Sequence, residues 1–274
     1  MPEIISDISY ATQSANQKLD IYLPDRVQRT HPVIVWFHPG GFTMGGKEMV
    51  KPLIEAILAR GYAAVSVNYR LAGEAMFPAQ IYDAKAAVRW ARANAGRYNF
   101  HIRKIASWGI SAGSTLAALL GTSGNVKDLE DLSMGNASES SRISAVVSWY
   151  GPMDFNALDS QRAEVGQKPA QDSDTSGESQ MMGGSVSAVP EKYRAASPIT
   201  YINHECPPFF IQHGKSDELI PYLQSVIFAR ALERAIGKSK VELKLIENAG
   251  HFDRIHSSSE NINAALDFLD RHLL

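Results

Sequence analysis

A single cysteine, Cys206, stands in a chain of 274 residues, so no disulfide forms within it. That excludes a disulfide-stapled scaffold and makes a reducing compartment the simpler setting. Cys206 sits in HECPPFF, ahead of an apolar run, and reads as a buried, inert thiol rather than a nucleophile. Long hydrophobic runs are also missing. None approaches the length of a membrane span, so no membrane partner is expected. The first residues, MPEIISDISYATQS, have neither a basic nor an apolar segment of the kind a signal peptide needs. The chain as written is therefore expected in the cytoplasm, and a signal removed from a precursor would make it secreted. An excess of charge of one sign is absent too. Twenty-seven basic and 29 acidic residues give a net charge of −2, which argues against a nucleic-acid partner. Histidine, cysteine and acidic residues show no metal-ligand spacing, so no metal is expected, and GGKEM is only a fragment of a phosphate-binding loop.

What is present is an ordinary globular composition, 45% hydrophobic and 20% charged, in a chain long enough for one large core. One domain over residues 1–274 with an insertion is expected rather than two domains. QKLDIYL (17–23) alternates as an outer strand does, whereas PVIVWFH (32–38) is continuously apolar, as in a strand covered on both faces. GKEMVKPLIEAILARG reads as a helix stopped at Gly61, and 62–69 as a second buried strand. Residues 78–95 carry Ile81, Ala84, Val88 and Ala91 at helical spacing behind Pro78. Further strands are expected at 104–110, 142–150, 207–214 and 241–249, and helices at 112–121, 221–237 and the C-terminus. This alternation implies an α/β fold, a mostly parallel twisted sheet with helices on both faces. Two stretches interrupt it: a polar loop at 123–141, and an insertion at 152–196 whose polar part, 160–180, suits a lid, a binding loop or disorder.

WGISAGS (108–114) contains one G-x-S-x-G match. With 20 glycines and 27 serines, chance supplies about 0.14 such matches in this chain, so the match needs its context. Ser111 lies where a strand pattern gives way to a helix of small residues, as a nucleophile held on a sharp turn requires. A serine hydroxyl is a weak nucleophile without a base, and that base needs a carboxylate to fix its tautomer. Both should follow the last strands. Asp217 lies in KSDELIP after the strand at 207–214, and His251 follows the final strand in a Gly-His loop. Asp253 is too near His251 in sequence to orient it, and Asp154 in GPMDF is the minor rival. Of the other histidines, His38 reads as a loop brace and His213 as a local hydrogen-bonder. His256 reads as exposed, and His31, His101, His204 and His272 read as surface or terminal residues.

Acyl transfer also needs donors for an oxyanion. HPGGF (38–42) follows the first central strand. Pro39 has no N–H, which leaves Gly40, Gly41 and Phe42, with the N–H of Ala112 opposite. Met181 and Met182 suit an acyl pocket and hinge packing equally, and Phe42 is a further substrate-contact candidate.

In combination, HPGGF, VSVNYRLAGEAMFPAQIYDAKAAVRWARANA, WGISAGSTLAALLGTSG, WYGPMDF, MMGGS, RAASPITYI and PPFFIQHGKSDELIPY resemble the α/β-hydrolase esterases of the bifunctional feruloyl and acetylxylan esterase-like group, relatives of the hormone-sensitive-lipase-like carboxylesterases. The resemblance covers about residues 15–272. It implies an α/β-hydrolase fold, a catalytic set Ser111, Asp217 and His251, an oxyanion hole at Gly40, Gly41 and Ala112, and no cofactor. Two positions depart from the pattern: Pro39 stands in an expected H-G-G-G, and Ser114 where a glycine usually follows G-x-S-A-G. The expected activity is hydrolysis of a small acyl ester through an acyl-enzyme, with a homodimer as one admissible assembly. The runner-up is an arylformamidase or other amidase with the same residues, and a ligand-binding protein on the same fold is the reading from another class.

Overall fold

The computed structural model describes residues 3–25, 30–169, 173 and 175–274. Its strands are β1 (Glu3–Ser9), β2 (Lys18–Leu23), β3 (His31–Phe37), β4 (Ala63–Val67), β5 (Phe100–Ile110), β6 (Ala145–Trp149), β7 (Phe209–Gly214) and β8 (Val241–Ile246). They form one sheet in the order β1-β2-β4-β3-β5-β6-β7-β8. β1 and β2 are antiparallel to their neighbours, and every pairing from β4 to β8 is parallel.

Helices α1 (Lys51–Ala59), α2 (Ala79–Ala93), α3 (Ala95–Tyr98), α4 (Ala112–Thr122), α5 (Leu158–Glu164), α6 (Gly177–Met182), α7 (Pro190–Ala196), α8 (Leu223–Ile236) and α9 (Ser259–Leu273) complete the framework. The strand period of two sorts β3 between two cores. Val33, Val35 and Phe37 join the cluster with α2, α4 and α8, while Ile34 and Trp36 join the cluster with α1 and α9. Each such side chain, sealed from water, contributes roughly 1.5–3 kcal/mol before entropy is counted. Trp108 lies in the second cluster, its ring edge-on to Trp149 at 5.0 Å.

Several sequence expectations shift. β1 was not foreseen, because EIISDIS is mostly exposed along an antiparallel edge and lacks the apolar alternation of a buried strand. The expected helix from Gly46 begins as a 3-10 turn at Lys47–Val50 and becomes α-helical at Lys51, with Pro52 in the first turn where its missing N–H is tolerated. His31 is not a surface residue. It opens β3, is buried, and its Nδ1 lies 3.3 Å from Gly61 O. Between 123 and 141, two 3-10 turns are held down by Arg89, fully buried on α2, through Glu130, Gly135 O and Asp131 O. Within 152–196, α5, α6 and α7 bury Leu158, Met181, Met182 and Tyr193, so the polar composition conceals apolar anchors. Residues 170–172 and 174 of the expected polar stretch lie outside the described residues. Cys206 is buried as expected, and burial pushes its thiol up.

Candidate active site

The carboxyl ends of the parallel strands deliver the site, as open α/β sheets generally do. β5 runs straight into α4 at Ser111, which adopts φ +53 and ψ −121. That conformation is costly for a residue with a Cβ, about 1–3 kcal/mol, and persists only where its surroundings enforce it. Three observations show the enforcement. Ser111 N–H donates to Trp149 O at 2.9 Å. A Cβ on Gly109 would lie 2.0 Å from Gly113 O, and one on Gly113 would lie 2.2 Å from Phe37 O. Both glycines of the motif are therefore steric requirements, and the second presses α4 against the end of β3. Ser114 fits without disruption because its Oγ pairs with Ser148 Oγ at 2.7 Å.

The loops after β7 and β8 are tied together before they reach Ser111. Lys215 N–H donates to Ile246 O, and Ser216 N–H to Ala249 O. From this frame His251 Nε2 approaches Ser111 Oγ at 2.9 Å, and His251 Nδ1 lies 2.7 Å from Asp217 Oδ2. The carboxylate can only accept from Nδ1–H, which leaves Nε2 bare toward the serine; this tautomer follows from the network. Asp217 Oδ1 accepts from the N–H groups of Leu219 (2.9 Å) and Ile220 (2.8 Å). Burial pushes the Asp217 carboxyl up, but hydrogen bonds from His213 and His251 outweigh it and hold the group well below the usual carboxylate range. The rival acids are employed elsewhere: Asp253 caps Ile255 N–H, and Asp154 accepts from Ala157 N–H.

Opposite the serine, Gly40 (φ +128), Gly41 (φ +57) and Phe42 (φ +64) form a run of left-handed backbone. A Cβ on Gly40 would lie 2.0 Å from Met44 O. Among the described residues, no acceptor meets the N–H of Gly40, Gly41 or Ala112. His38 braces this loop. Its ring stacks on Tyr69 at 4.2 Å, its Nδ1 bonds Pro39 O at 2.7 Å, and burial lowers its pKa to about 4.

Ser111 and His251 open on a cavity of about 480 Å³, walled by Pro39, Met49, Ile110, Tyr150, Phe252 and Arg254 among others. Phe42, Met181 and Met182 do not line this cavity. Phe42 turns at its positive φ into the core against Phe155, and both methionines are buried in the same cluster.

Sequence reasoning missed two neighbours and part of the role of a third. His256, expected to be exposed, is buried, because its Nε2 bonds Gly250 O at 3.0 Å, the carbonyl just before His251. His213 does bond locally, to Ser225 Oγ and Ile220 O, and its Nε2 also lies 3.2 Å from Asp217 Oδ2. Tyr150 touches all three imidazoles: its ring centroid is 4.3 Å from His256, 5.0 Å from His251 and 6.4 Å from His213. The His-Gly pair ending β7 was a visible signal for His213, whereas Tyr150 and His256 are brought in by tertiary packing.

Comparison with known proteins places this geometry. The model of the BD-FAE family matches residues 19–232, well over half of the sequence. The chain belongs to the BD-FAE family. This BD-FAE chain is 32% identical over 249 residues to the esterase LipQ of Mycobacterium tuberculosis, a match covering 90% of the chain and 56% of LipQ. The chain thus spans little more than half the length of the curated relatives it matches first. Among solved structures it is similar to a bifunctional GH43-CE protein of Bacteroides eggerthii, with TM-score 0.89, 31% identity, and coverage of 98% of this chain and 38% of the other. It is also similar to a truncated carbohydrate esterase from gut microbiota, with TM-score 0.90, 28% identity, and coverage of 98% and 96%. The BD-FAE chain has the α/β-hydrolase fold of these esterases, and its Ser111, Asp217 and His251 lie in the chain order serine, acid, histidine that accompanies that fold.

Proposed function

We propose that the protein is a serine carboxylesterase acting on small acyl esters of the acetyl or feruloyl type. The observation that carries the reading is the unbroken chain from Ser111 Oγ through His251 to Asp217, facing the unpaired N–H groups of Gly40, Gly41 and Ala112. The LipQ name and the carbohydrate-esterase neighbours support an ester rather than an amide substrate.

Ser111 Oγ attacks the ester carbonyl as His251 Nε2 takes its proton. Asp217 remains ionised and stabilises the imidazolium while fixing its orientation. The N–H groups of Gly40, Gly41 and Ala112 receive the oxyanion, aided by the positive end of α4. His251 then returns the proton to the leaving alkoxide, and the acyl group stays on Ser111. A water deprotonated by His251 attacks the acyl-enzyme, and collapse releases the acid and restores Ser111.

Ser111→Ala is expected to lower hydrolysis of a short-chain nitrophenyl ester by roughly 10³-fold or more without altering the fold. Wild-type turnover in a folded Ser111→Ala protein would overturn the assignment.

A further inference from the structure

Tyr150 follows β6 directly, so its position is set by the same strand ends that deliver Ser111 and Asp217. Its backbone is at φ +42, a genuine outlier for a bulky residue, and its N–H is pinned to Gln212 O at 2.8 Å. The ring is 8% exposed and wedged among His213, His251 and His256. Strain of this kind clusters where a side chain must be presented in one direction.

The place of the hydroxyl sets Tyr150 apart. Tyr10, Tyr62, Tyr69 and Tyr193 each give theirs to a protein acceptor, Asn68 O, Asp270 Oδ1, His38 O and Gly184 O, while buried Tyr22 and Tyr98, which have no such partner among the described residues, do not line the cavity of Ser111. Among the described residues the Tyr150 hydroxyl has no such partner, yet it is not one of the polar atoms sealed from solvent. Tyr150 lines the cavity that holds Ser111 and His251. Burial and the nearby Asp217 charge push the phenol well above its ordinary value, so it remains a donor at any working pH. Met49, Ile110 and Phe252 make much of the remaining wall apolar, beside Ser257 and the charged Asp253 and Arg254.

We propose that the Tyr150 hydroxyl is a substrate-contacting donor that favours esters bearing an oxygen acceptor beyond the scissile carbonyl. The proposal rests on Ser111 being the nucleophile of an esterase. It commits to an ether, hydroxyl or similar oxygen near the reacting group, held by a hydrogen bond from Tyr150 while the hydrocarbon remainder packs on Met49 and Phe252.

Tyr150→Phe removes the hydroxyl and keeps the ring. Two isosteric pairs read its effect on either side of the ester: nitrophenyl butyrate against nitrophenyl methoxyacetate, and butyl acetate against 2-methoxyethyl acetate. In at least one pair, kcat/KM of the oxygen-bearing member is expected to fall about tenfold, a single hydrogen bond's worth, while its hydrocarbon partner stays within about twofold of wild type. Comparing variant with wild type on each ester cancels differences in intrinsic reactivity. An equal loss on all four esters, or no loss on any, overturns the proposal and leaves the esterase reading standing. Failure of the wild type on all four, with Ser111 unlabelled by an organophosphate, overturns both. If Tyr150→Phe does not fold, the wild type supplies the readout: KM must be lower for the oxygen-bearing member of one pair, and equal KM values within both pairs overturn the proposal.

Discussion

At the scale of single residues, the site is governed by what cannot be placed near Ser111. Gly113 is the clearest case, because its missing Cβ lets α4 abut Phe37 O and His38 O at the mouth of the proposed oxyanion loop. Gly113→Ala is expected to push the serine away from that loop. A displacement near 1 Å costs roughly 10²-fold, so kcat should fall by about that factor with KM changed far less. Steady-state kinetics beside a thermal melt would check this, and unchanged kcat in a folded variant would contradict it. The sequence displayed these glycines, and with them the proposed nucleophile Ser111 and its two hydrogen-bonded partners in series, His251 and Asp217, because the motif and the strand-end loops are local. It did not display Tyr150 at φ +42 or His256 beneath Gly250, since neither a positive φ on a tyrosine nor burial of a loop histidine leaves a local signature.

At the scale of elements, the sheet was legible wherever strands are covered on both faces, as in β3 and β4, and illegible in the edge strand β1, which has no apolar face to show. Helix α2 illustrates a constraint that periodicity cannot reveal. Its fully buried Asp83 accepts from Arg70 N–H at 2.7 Å, from the Arg70 guanidinium and from Gln17 Nε2. The helix is thereby fastened to the segment after β4, whose Tyr69 hydroxyl donates to His38 O. Asp83→Ala leaves the Arg70 guanidinium, 14% exposed, without its counter-charge. Loss of one partner from so buried a pair should lower stability by about 3 kcal/mol, seen as an earlier urea midpoint. A midpoint within error of wild type would show the pair to be dispensable.

At the scale of the whole molecule, acid sensitivity follows from groups that fold in one protonation state. His38 falls from 6.5 to about 4 on folding, and burial lowers His256 as well. The unfolded chain therefore binds more protons than the native one between these values. The stability tied to neutral His38 is complete above pH 6.5 and is lost as pH falls toward 4, with a limiting slope of about 1.4 kcal/mol per pH unit for one group. Asp217, also depressed, adds a second loss below its unfolded value of 3.8. Urea titrations from pH 7 to pH 4 should give a shallower decline for His38→Asn than for wild type, whatever the absolute stability of the variant. Parallel declines would exclude His38 as a source of the slope.

The segment 152–196 meets both arms of the site. Arg162 on α5 donates to Leu219 O, Gln167 donates to Asp217 O, and a Cβ on Gly177 at the start of α6 would lie 2.4 Å from Gly41 O. Anyone building chimeras from relatives of this protein inherits that contact as a design rule. Residues 40–42 and 176–183 form a matched pair of parts, to be transplanted together, because a segment borrowed with any larger residue at 177 would collide with the recipient's loop at 40–42.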